Sequence, residues 1–225
     1  MLIVVTATQK SHAEFDNETP LGLSLSRNSF DNSWKPAITP ENSLGLPAVY
    51  NSVIVEQNRE HEVVFVHDDL WLDDIFFASR IRAGLEKFDV IGLAGNRVLH
   101  QRAQTWFCDD DAQLDAKNLS GVVCHGDSPF GLPTVYGPTP ARVELIDGVL
   151  IAARISSLLD AGVRFDERFD FHFYDLDFSR QANMAGLTVG TWPVSVTHIS
   201  SGHYGTDSWR RGLKLYLEKW LKLSI

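Results

Sequence analysis

Three short apolar runs, separated by segments with helical periodicity, constrain the fold of this chain most. The runs are residues 2–6 (LIVVT), 62–66 (EVVFV) and 89–93 (DVIGL). Continuous apolar runs of this length are typical of strands that are buried on both faces. Residues 48–60 and 73–88 lie between the runs and carry apolar side chains at helical spacing. This alternation predicts an α/β domain with a mostly parallel sheet flanked by helices.

The second half of the chain carries a weaker pattern, and we assign its elements from shorter periodic segments. They are a strand pair or one long strand over 142–153, a short helix over 156–161, a helix over 175–185, a strand over 187–196 and a C-terminal helix over 206–223. Residues 16–47 and 94–140 are rich in turn-forming residues and show little periodicity. We predict an irregular segment at 16–47 and loops with short strands at 94–140.

Composition narrows the class of protein. The 225 residues fit a single domain over residues 1–225, and 44% hydrophobic residues are sufficient for a buried core. The formal net charge is -9. A protein that binds nucleic acid non-specifically needs a basic stripe to neutralise phosphates, so we expect no nucleic-acid partner. A single bound nucleotide stays open, because a metal ion and a few local donors can neutralise a diphosphate.

The compartment is inferred from three further features. Cys108 and Cys124 are too few for a disulfide framework, and we expect both to be reduced. Residues 1–8 are apolar but short and lack the basic region of a secretory signal. No run reaches the ~18 apolar residues that a membrane span requires. We therefore expect a cytoplasmic protein without a transmembrane segment.

Two adjacent carboxylates follow the apolar strand at 62–66. The sequence there continues with His67, Asp68 and Asp69. A carboxylate at the end of a strand can face the ligand crevice and bind a hard divalent cation such as Mg²⁺ or Mn²⁺. Alternatively, the two aspartates end the strand and cap the following helix.

A second group of acidic residues alternates with aromatic residues over 165–177. Asp175 and Asp177 stand at the predicted start of a helix, where the helix dipole stabilises carboxylates. Asp175 can project from that terminus into a cleft as a general base. The alternative is a capping role, with the aromatic residues packed in the core. A third feature is His198, which follows the strand at 187–196 and suits either a metal ligand or a structural histidine.

Taken together, these segments resemble, in order and setting, the glycosyltransferases of the GT-A fold, of the family 2 type. The matching segments are the first strand with its small polar loop (1–8), the strand that runs into an HDD form of the DxD motif (64–69), the apolar stretch around Asp147 and Gly148 (146–154), the FDE-x-F segment (165–169), the helix similar to YEDxDxxxR with its trailing glycine (173–186) and the last strand with its histidine (193–198). The resemblance implies a GT-A, Rossmann-like fold with a mostly parallel central sheet.

The resemblance also implies roles for individual residues. Asp69 and His198 would bind Mn²⁺ or Mg²⁺, and Asp175 would be the base that deprotonates an acceptor hydroxyl, so that transfer inverts the anomeric centre. The residues implied to contact the donor, a UDP-sugar, or the acceptor, a saccharide or other hydroxyl compound, are Thr6, Ala7, Asn51, Asp68, Asp147 and Gly148.

Two positions depart from the family pattern. His67 stands where the DxD motif begins with Asp, and Tyr174 stands where the helix motif has Glu. These departures leave open a non-catalytic nucleotide-binding relative. A second alternative is a metal-dependent phosphoester hydrolase built on Asp68, Asp69 and His198. The sequence does not specify the oligomeric state.

Overall fold

The chain forms two β-sheets with helices packed around them, in a computed structural model that describes residues 1–199, 202 and 204–221. The strands of the described residues are β1 (Leu2–Ala7), β2 (Trp34–Thr39), β3 (Glu62–Val66), β4 (Leu70–Leu72), β5 (Val90–Gly92), β6 (Ala94–Asn96), β7 (Leu119–His125), β8 (Leu132–Gly137), β9 (Ala141–Arg142), β10 (Leu145–Ile146), β11 (Leu150–Arg154), β12 (Val189–Thr191) and β13 (Val196–His198). The helices are α1 (His12–Glu18), α2 (Pro20–Arg27), α3 (Leu46–Asn51), α4 (Phe77–Leu85), α5 (Ile155–Ala161), α6 (Tyr174–Met184) and α7 (Asp207–Leu221), with a 3-10 turn at Glu56–Asn58.

The larger sheet has the strand order β2-β1-β3-β11-β5-β12-β9. Strands β1, β2, β3, β5 and β12 run in one direction, and β11 and β9 run against them. The prediction of an α/β fold with a mostly parallel sheet is therefore confirmed. Strands β1 and β3 read as apolar runs because both of their faces are covered by protein, and Leu2, Val4 and Val64 are almost completely buried.

The smaller sheet has the order β10-β6-β7-β13-β4, with β8 paired to the other side of β7. Much of it comes from 94–140, where we predict only loops and short strands. Its strand β13 lies parallel to β7 and antiparallel to β4. Buried residues of both sheets belong to one hydrophobic cluster. This shared core packs the two sheets against each other and so fixes the positions of the strand ends that form the candidate site.

The prediction of an irregular segment at 16–47 is wrong. This segment contains the end of α1, all of α2 and strand β2. Helix α1 starts with a capping box between Ser11 and Glu14, and Thr19 caps α2, which has Pro20 in its first turn. The start signals are therefore present in the sequence, but each helix is too short to show a clear apolar period.

Other predicted boundaries change for local reasons. The predicted strand at 187–196 is two strands in different sheets, because Pro193 has no N–H to continue the ladder between β12 and β13. The predicted helix at 73–88 begins at Phe77, after the unpredicted strand β4. The predicted helix at 48–60 is the shorter α3 followed by the 3-10 turn. No helix of the described ranges combines the length and the apolar character that a membrane span requires.

A buried carboxylate joins α6 to the C-terminal helix α7. Asp177 is completely buried, and its Oδ1 atom lies 2.7 Å from Nζ of Lys219. The indole N–H of Trp220 donates to the same oxygen at 2.9 Å, and the Gln181 side-chain amide donates to Oδ2 at 2.7 Å. Burial raises the pKa of Asp177 even though Lys219 opposes the shift. The contacts therefore compensate a carboxylate that would otherwise be costly to bury.

We predict that Asp177→Ala lowers the free energy of unfolding by about 3 kcal/mol, because it leaves buried donors of α6 and α7 without their acceptor. Urea denaturation followed by circular dichroism measures this change. Asp160→Ala is the matched control, since Asp160 is an exposed carboxylate paired with Arg59 and should leave stability unchanged. Equal effects of the two substitutions would contradict the structural role of Asp177.

Candidate active site

The carboxyl ends of three strands meet at one cavity of about 390 Å³. Strand β3 is followed by His67, β7 ends at His125 and β13 ends at His198. The turn between β10 and β11 contributes Asp147 and Gly148, and the first turn of α6 contributes Tyr174 and Asp175. Ligands of open α/β sheets bind at such an edge, because loops after the strands converge there.

His67, Asp69 and His198 form a compact group of metal-binding side chains. The Nε2 atom of His198 lies 3.2 Å from Oδ1 of Asp69, and Nδ1 of His67 lies 4.0 Å from the same oxygen. Pairing of β13 with β4 produces this approach, since the Ile199 N–H donates to the Asp69 carbonyl at 3.1 Å. Residues that are about 130 positions apart are thus brought together by sheet register.

This group fits a divalent cation. Two ligands of one ion are at most about 4.2 Å apart when each bond is about 2.1 Å, and both distances above are shorter. The buried Nε2 atom of His198 has Oδ1 of Asp69, at 3.2 Å, as its charged neighbour, and both are ligand atoms of the same group. Burial lowers the pKa of His67 to about 4, so its imidazole is neutral, as a metal ligand must be. Within the described residues this is the one group of three such side chains.

Asp175 also lines the cavity, at the start of α6. The backbone N–H of Gly148 donates to Oδ2 of Asp175 at 2.9 Å, which fixes the direction of the carboxylate. Burial, with a further contribution from the charge of Asp147, raises the pKa of Asp175 to about 7. Burial also raises the pKa of Asp147, although His198 and His125 oppose that shift. Raised carboxylate pKa values beside a cavity are typical of general acid–base sites.

Tyr174 connects the metal-binding group to the turn between β10 and β11. Its hydroxyl donates to the Gly148 carbonyl at 2.8 Å, and Nε2 of His67 lies 2.8 Å from the same hydroxyl. A Cβ atom at position 148 would come within 2.5 Å of the Tyr174 oxygen, so only glycine permits this approach. The preceding residue, Phe173, has a φ of 67°, an uncommon conformation that turns the chain into α6. The two positions that depart from the family motifs, His67 and Tyr174, are therefore in direct contact.

Aromatic side chains form much of the remaining cavity wall. Phe171 stacks on the His67 ring with a centroid distance of 5.5 Å and an interplanar angle of 29°. Tyr136 of β8 and Tyr204 also line the cavity. Tyr136, Tyr204 and His125 were not among the residues singled out from the sequence, because no motif marks them. The one available signal is the apolar pattern of β7, which ends at His125.

Four of the residues implied to contact the donor or the acceptor lie outside the lining of the cavity. Thr6 and Ala7 end β1 beside β3, and Thr6 is completely buried. Asp68 is half-buried, with a hydrogen bond to the Thr8 side chain, and burial raises its pKa. Asn51 is engaged within the protein, since its amide nitrogen donates to the Phe165 carbonyl at 2.9 Å and its oxygen accepts from the Phe165 N–H at 3.0 Å.

Of the nine predicted site residues, the structure brings four to the lining of the cavity and leaves five outside it. Those in the lining are His198, Asp147, Gly148 and Asp175. Asp69 reaches the same cavity through its contact with His198, whereas those on the β1 side are Thr6, Ala7, Asn51 and Asp68.

The fold of the chain is that of the GT-A glycosyltransferases. S. aureus TarS 1–349 matches with a TM-score of 0.54 and 13% sequence identity, over 96% of this chain and 64% of that chain. The chain thus spans somewhat less than two thirds of that structure. S. aureus TarS 1–349 in complex with UDP matches with a TM-score of 0.49 and 13% identity, over 89% and 60% of the two chains. A197 from STIV matches with a TM-score of 0.48 and 10% identity, over 87% and 82%.

No protein-family model matches the sequence, and no curated protein matches it. The GT-A fold inferred from the motifs is confirmed by the structural match to TarS 1–349. A closer likeness to majastridin, a small GT-A-like protein that the same motifs suggest, has no support among these structures.

We predict that Gly148→Ala weakens divalent-cation binding by at least tenfold, because the added methyl group displaces Tyr174 and with it the His67 ring. Titration calorimetry with Mn²⁺ measures the change. Gly162→Ala is the matched control: Gly162 has a φ of 66° at the end of α5, so alanine there costs stability without touching the cavity. Unchanged cation affinity in Gly148→Ala would show that the close approach at Gly148 has no role in the site.

Proposed function

We propose that this protein is a metal-dependent glycosyltransferase that moves a sugar from a nucleotide-sugar, most simply a UDP-sugar, to an acceptor hydroxyl with inversion. One observation carries the proposal. In a chain with the GT-A fold, His67, His198 and Asp175 line a single cavity, and Oδ1 of Asp69 lies within 4.0 Å of both histidines. A displacement at an anomeric carbon requires a charge-neutralising site for the leaving diphosphate and a base for the acceptor hydroxyl, and this cavity offers residues for both.

Asp69 and His198 would hold Mn²⁺ or Mg²⁺, which supplies positive charge for the diphosphate of the donor as it leaves. The proposed donor contacts follow from their positions at strand ends of the larger sheet. Ala7 and Asp68 stand at the carboxyl ends of β1 and β3, where a nucleotide would approach the larger sheet. Thr6 would shape the floor from its buried position.

For Asn51 we propose an indirect role. Both ends of its side-chain amide bind the 165–169 segment, and its nitrogen also donates to Glu167 at 2.9 Å. Asn51 would therefore keep that segment against the larger sheet, and its hydrogen bonds leave little capacity for a nucleotide.

Asp175 is the proposed base. Its carboxylate is held by the Gly148 N–H, and its raised pKa of about 7 matches the pH at which a base must both accept and release a proton. Asp147 beside it would contact the sugar or the acceptor. The aromatic wall offers flat apolar faces of the kind that pack against sugar rings.

The phosphoester hydrolase receives less support. Such enzymes commonly use two metal ions about 3.5–4 Å apart, which need more carboxylates and histidines than one group supplies. The described residues contain one group of three metal-binding side chains. A non-catalytic nucleotide-binding protein is the stronger alternative. The first experiment below tests the donor site, and the second, which measures turnover, separates this alternative from the transferase.

We predict that UDP binds in the presence of Mn²⁺ and that Asp69→Ala abolishes this binding. The variant loses the proposed carboxylate ligand, which lies close to both histidines. Titration calorimetry of UDP and GDP, with and without Mn²⁺, measures this. Asp127→Ala is the control, since Asp127 is exposed on the loop between β7 and β8. Absence of binding by either nucleotide under all these conditions would contradict the donor site.

We predict that Asp175→Asn lowers the rate of UDP-sugar turnover, as transfer or donor hydrolysis, by at least 10²-fold while nucleotide affinity stays unchanged. A group with a raised pKa acts as a base only above that pKa, so the wild-type rate should rise with pH. The midpoint should fall at or below pH 7, the value of about 7 for Asp175 being lowered by a bound cation. Nucleotide binding without any turnover in the wild type would favour the non-catalytic alternative.

A further inference from the structure

The two departures from the family motifs are a hydrogen-bonded pair. His67 replaces the first acid of the DxD motif, Tyr174 replaces the glutamate of the helix motif, and Nε2 of His67 lies 2.8 Å from the Tyr174 hydroxyl. Each replacement alone looks like the loss of a carboxylate. Because they meet across 107 positions of sequence, the structure indicates one combined change in the chemistry of the site.

The hydrogen bonds of Tyr174 determine which nitrogen of His67 carries the proton. The Gly148 carbonyl can only accept, so the single hydroxyl proton of Tyr174 is donated to it. The hydroxyl must then accept from His67, whose Nε2 carries the hydrogen. A neutral imidazole has one N–H, and the lone pair is therefore on Nδ1. That atom is the one that faces Asp69.

The orientation of the His67 ring is fixed on two sides. Tyr174 is almost completely buried, so its hydrogen bond to His67 acts in a medium of low polarity. Phe171 covers one face of the ring at a centroid distance of 5.5 Å. Metal-binding histidines commonly show this arrangement, with one nitrogen held by a hydrogen bond and the other presented to the ion.

We propose that His67 is a direct metal ligand through Nδ1, that Tyr174 is the residue that positions it, and that the site consequently selects a first-row transition-metal ion over Mg²⁺. Two imidazoles and one carboxylate form the ligand set. Imidazole binds Mn²⁺, Co²⁺ and Zn²⁺ increasingly well, whereas Mg²⁺ prefers oxygen ligands. This proposal rests on the metal site of the proposed function, to which it adds a ligand and a metal preference. It can hold even if the protein does not transfer sugars.

Metal affinity without nucleotide or sugar provides the first test. We expect wild-type protein to bind Zn²⁺, Co²⁺ and Mn²⁺ in decreasing order and each at least tenfold more tightly than Mg²⁺, as measured by titration calorimetry and competition. His67→Asn should weaken transition-metal binding at least tenfold and leave Mg²⁺ affinity nearly unchanged. Mg²⁺ binding as tight as that of Mn²⁺ would overturn the proposal.

The positioning role of Tyr174 has a closely matched control. Tyr174→Phe removes one buried hydroxyl and should weaken Co²⁺ and Zn²⁺ binding by about 10–100-fold. Tyr216→Phe makes the same change at a buried tyrosine that accepts from Arg180 at 3.3 Å, away from the cavity, and should leave metal affinity unchanged. Equal affinities in the two variants would overturn the role of Tyr174.

A spectroscopic measurement on the wild-type protein avoids any effect of substitutions on folding. Long-range ¹H–¹⁵N correlation spectra distinguish the two neutral histidine tautomers. We expect His67 to carry its proton on Nε2 and to show the metal-dependent shift at Nδ1 when Zn²⁺ is added. A proton on Nδ1, or no shift of Nδ1, would contradict the proposal even if the protein transfers sugars. Conversely, the expected spectra with no transferase activity would uphold the metal site and refute the proposed function.

Discussion

The hydrogen bond from the Tyr174 hydroxyl to the Gly148 carbonyl is the interaction on which the geometry of the cavity depends. It joins the first turn of α6 to the turn between β10 and β11, and it is buried. The N–H of Gly148 holds Asp175 on one side, while the Tyr174 hydroxyl holds His67 on the other. One glycine thus relates the position of the proposed base to that of the proposed metal ligands. Leaving either partner of such a bond unpaired would cost about 1–3 kcal/mol.

Much of the larger sheet was predictable from sequence, because its central strands are apolar runs that need both faces covered. β1 and β3 are continuous runs of this kind, and helix α6 agrees with its prediction to within a residue at each end. The smaller sheet was not predictable. Four of its six strands have only two or three residues, and some pair with partners far away in sequence, such as β13 with β4. No local period can report such pairing, since its stability comes from distant neighbours.

The candidate site was likewise predictable only in part. Asp69, His198 and Asp175 follow or begin regular elements, and a motif identifies such positions even at low sequence identity. Side-chain contacts could not be predicted in this way, because a motif specifies the position of a residue in the fold and not the atoms that it binds. Asn51 illustrates this: its position agreed with a nucleotide contact, yet its amide is bonded to the 165–169 segment. The sequence likewise shows only that His67 and Tyr174 replace two acidic residues of the motifs. That the two side chains form a hydrogen-bonded pair is visible only in the structure.

The interior of the cavity also depends on elements that contain none of the motif residues. Helix α7 supplies Trp209 to its lining, and Phe173, immediately before α6, packs between Trp209 and Tyr216. The carboxylate of Asp177 holds α7 to α6 through Lys219 and Trp220. Helix α7 therefore forms part of the cavity wall and is held in place through α6. Because that helix and Asp175 are both anchored on α6, displacement of α6 would alter the base and the aromatic wall together. Coupling of this kind requires only that packed helices move as rigid units.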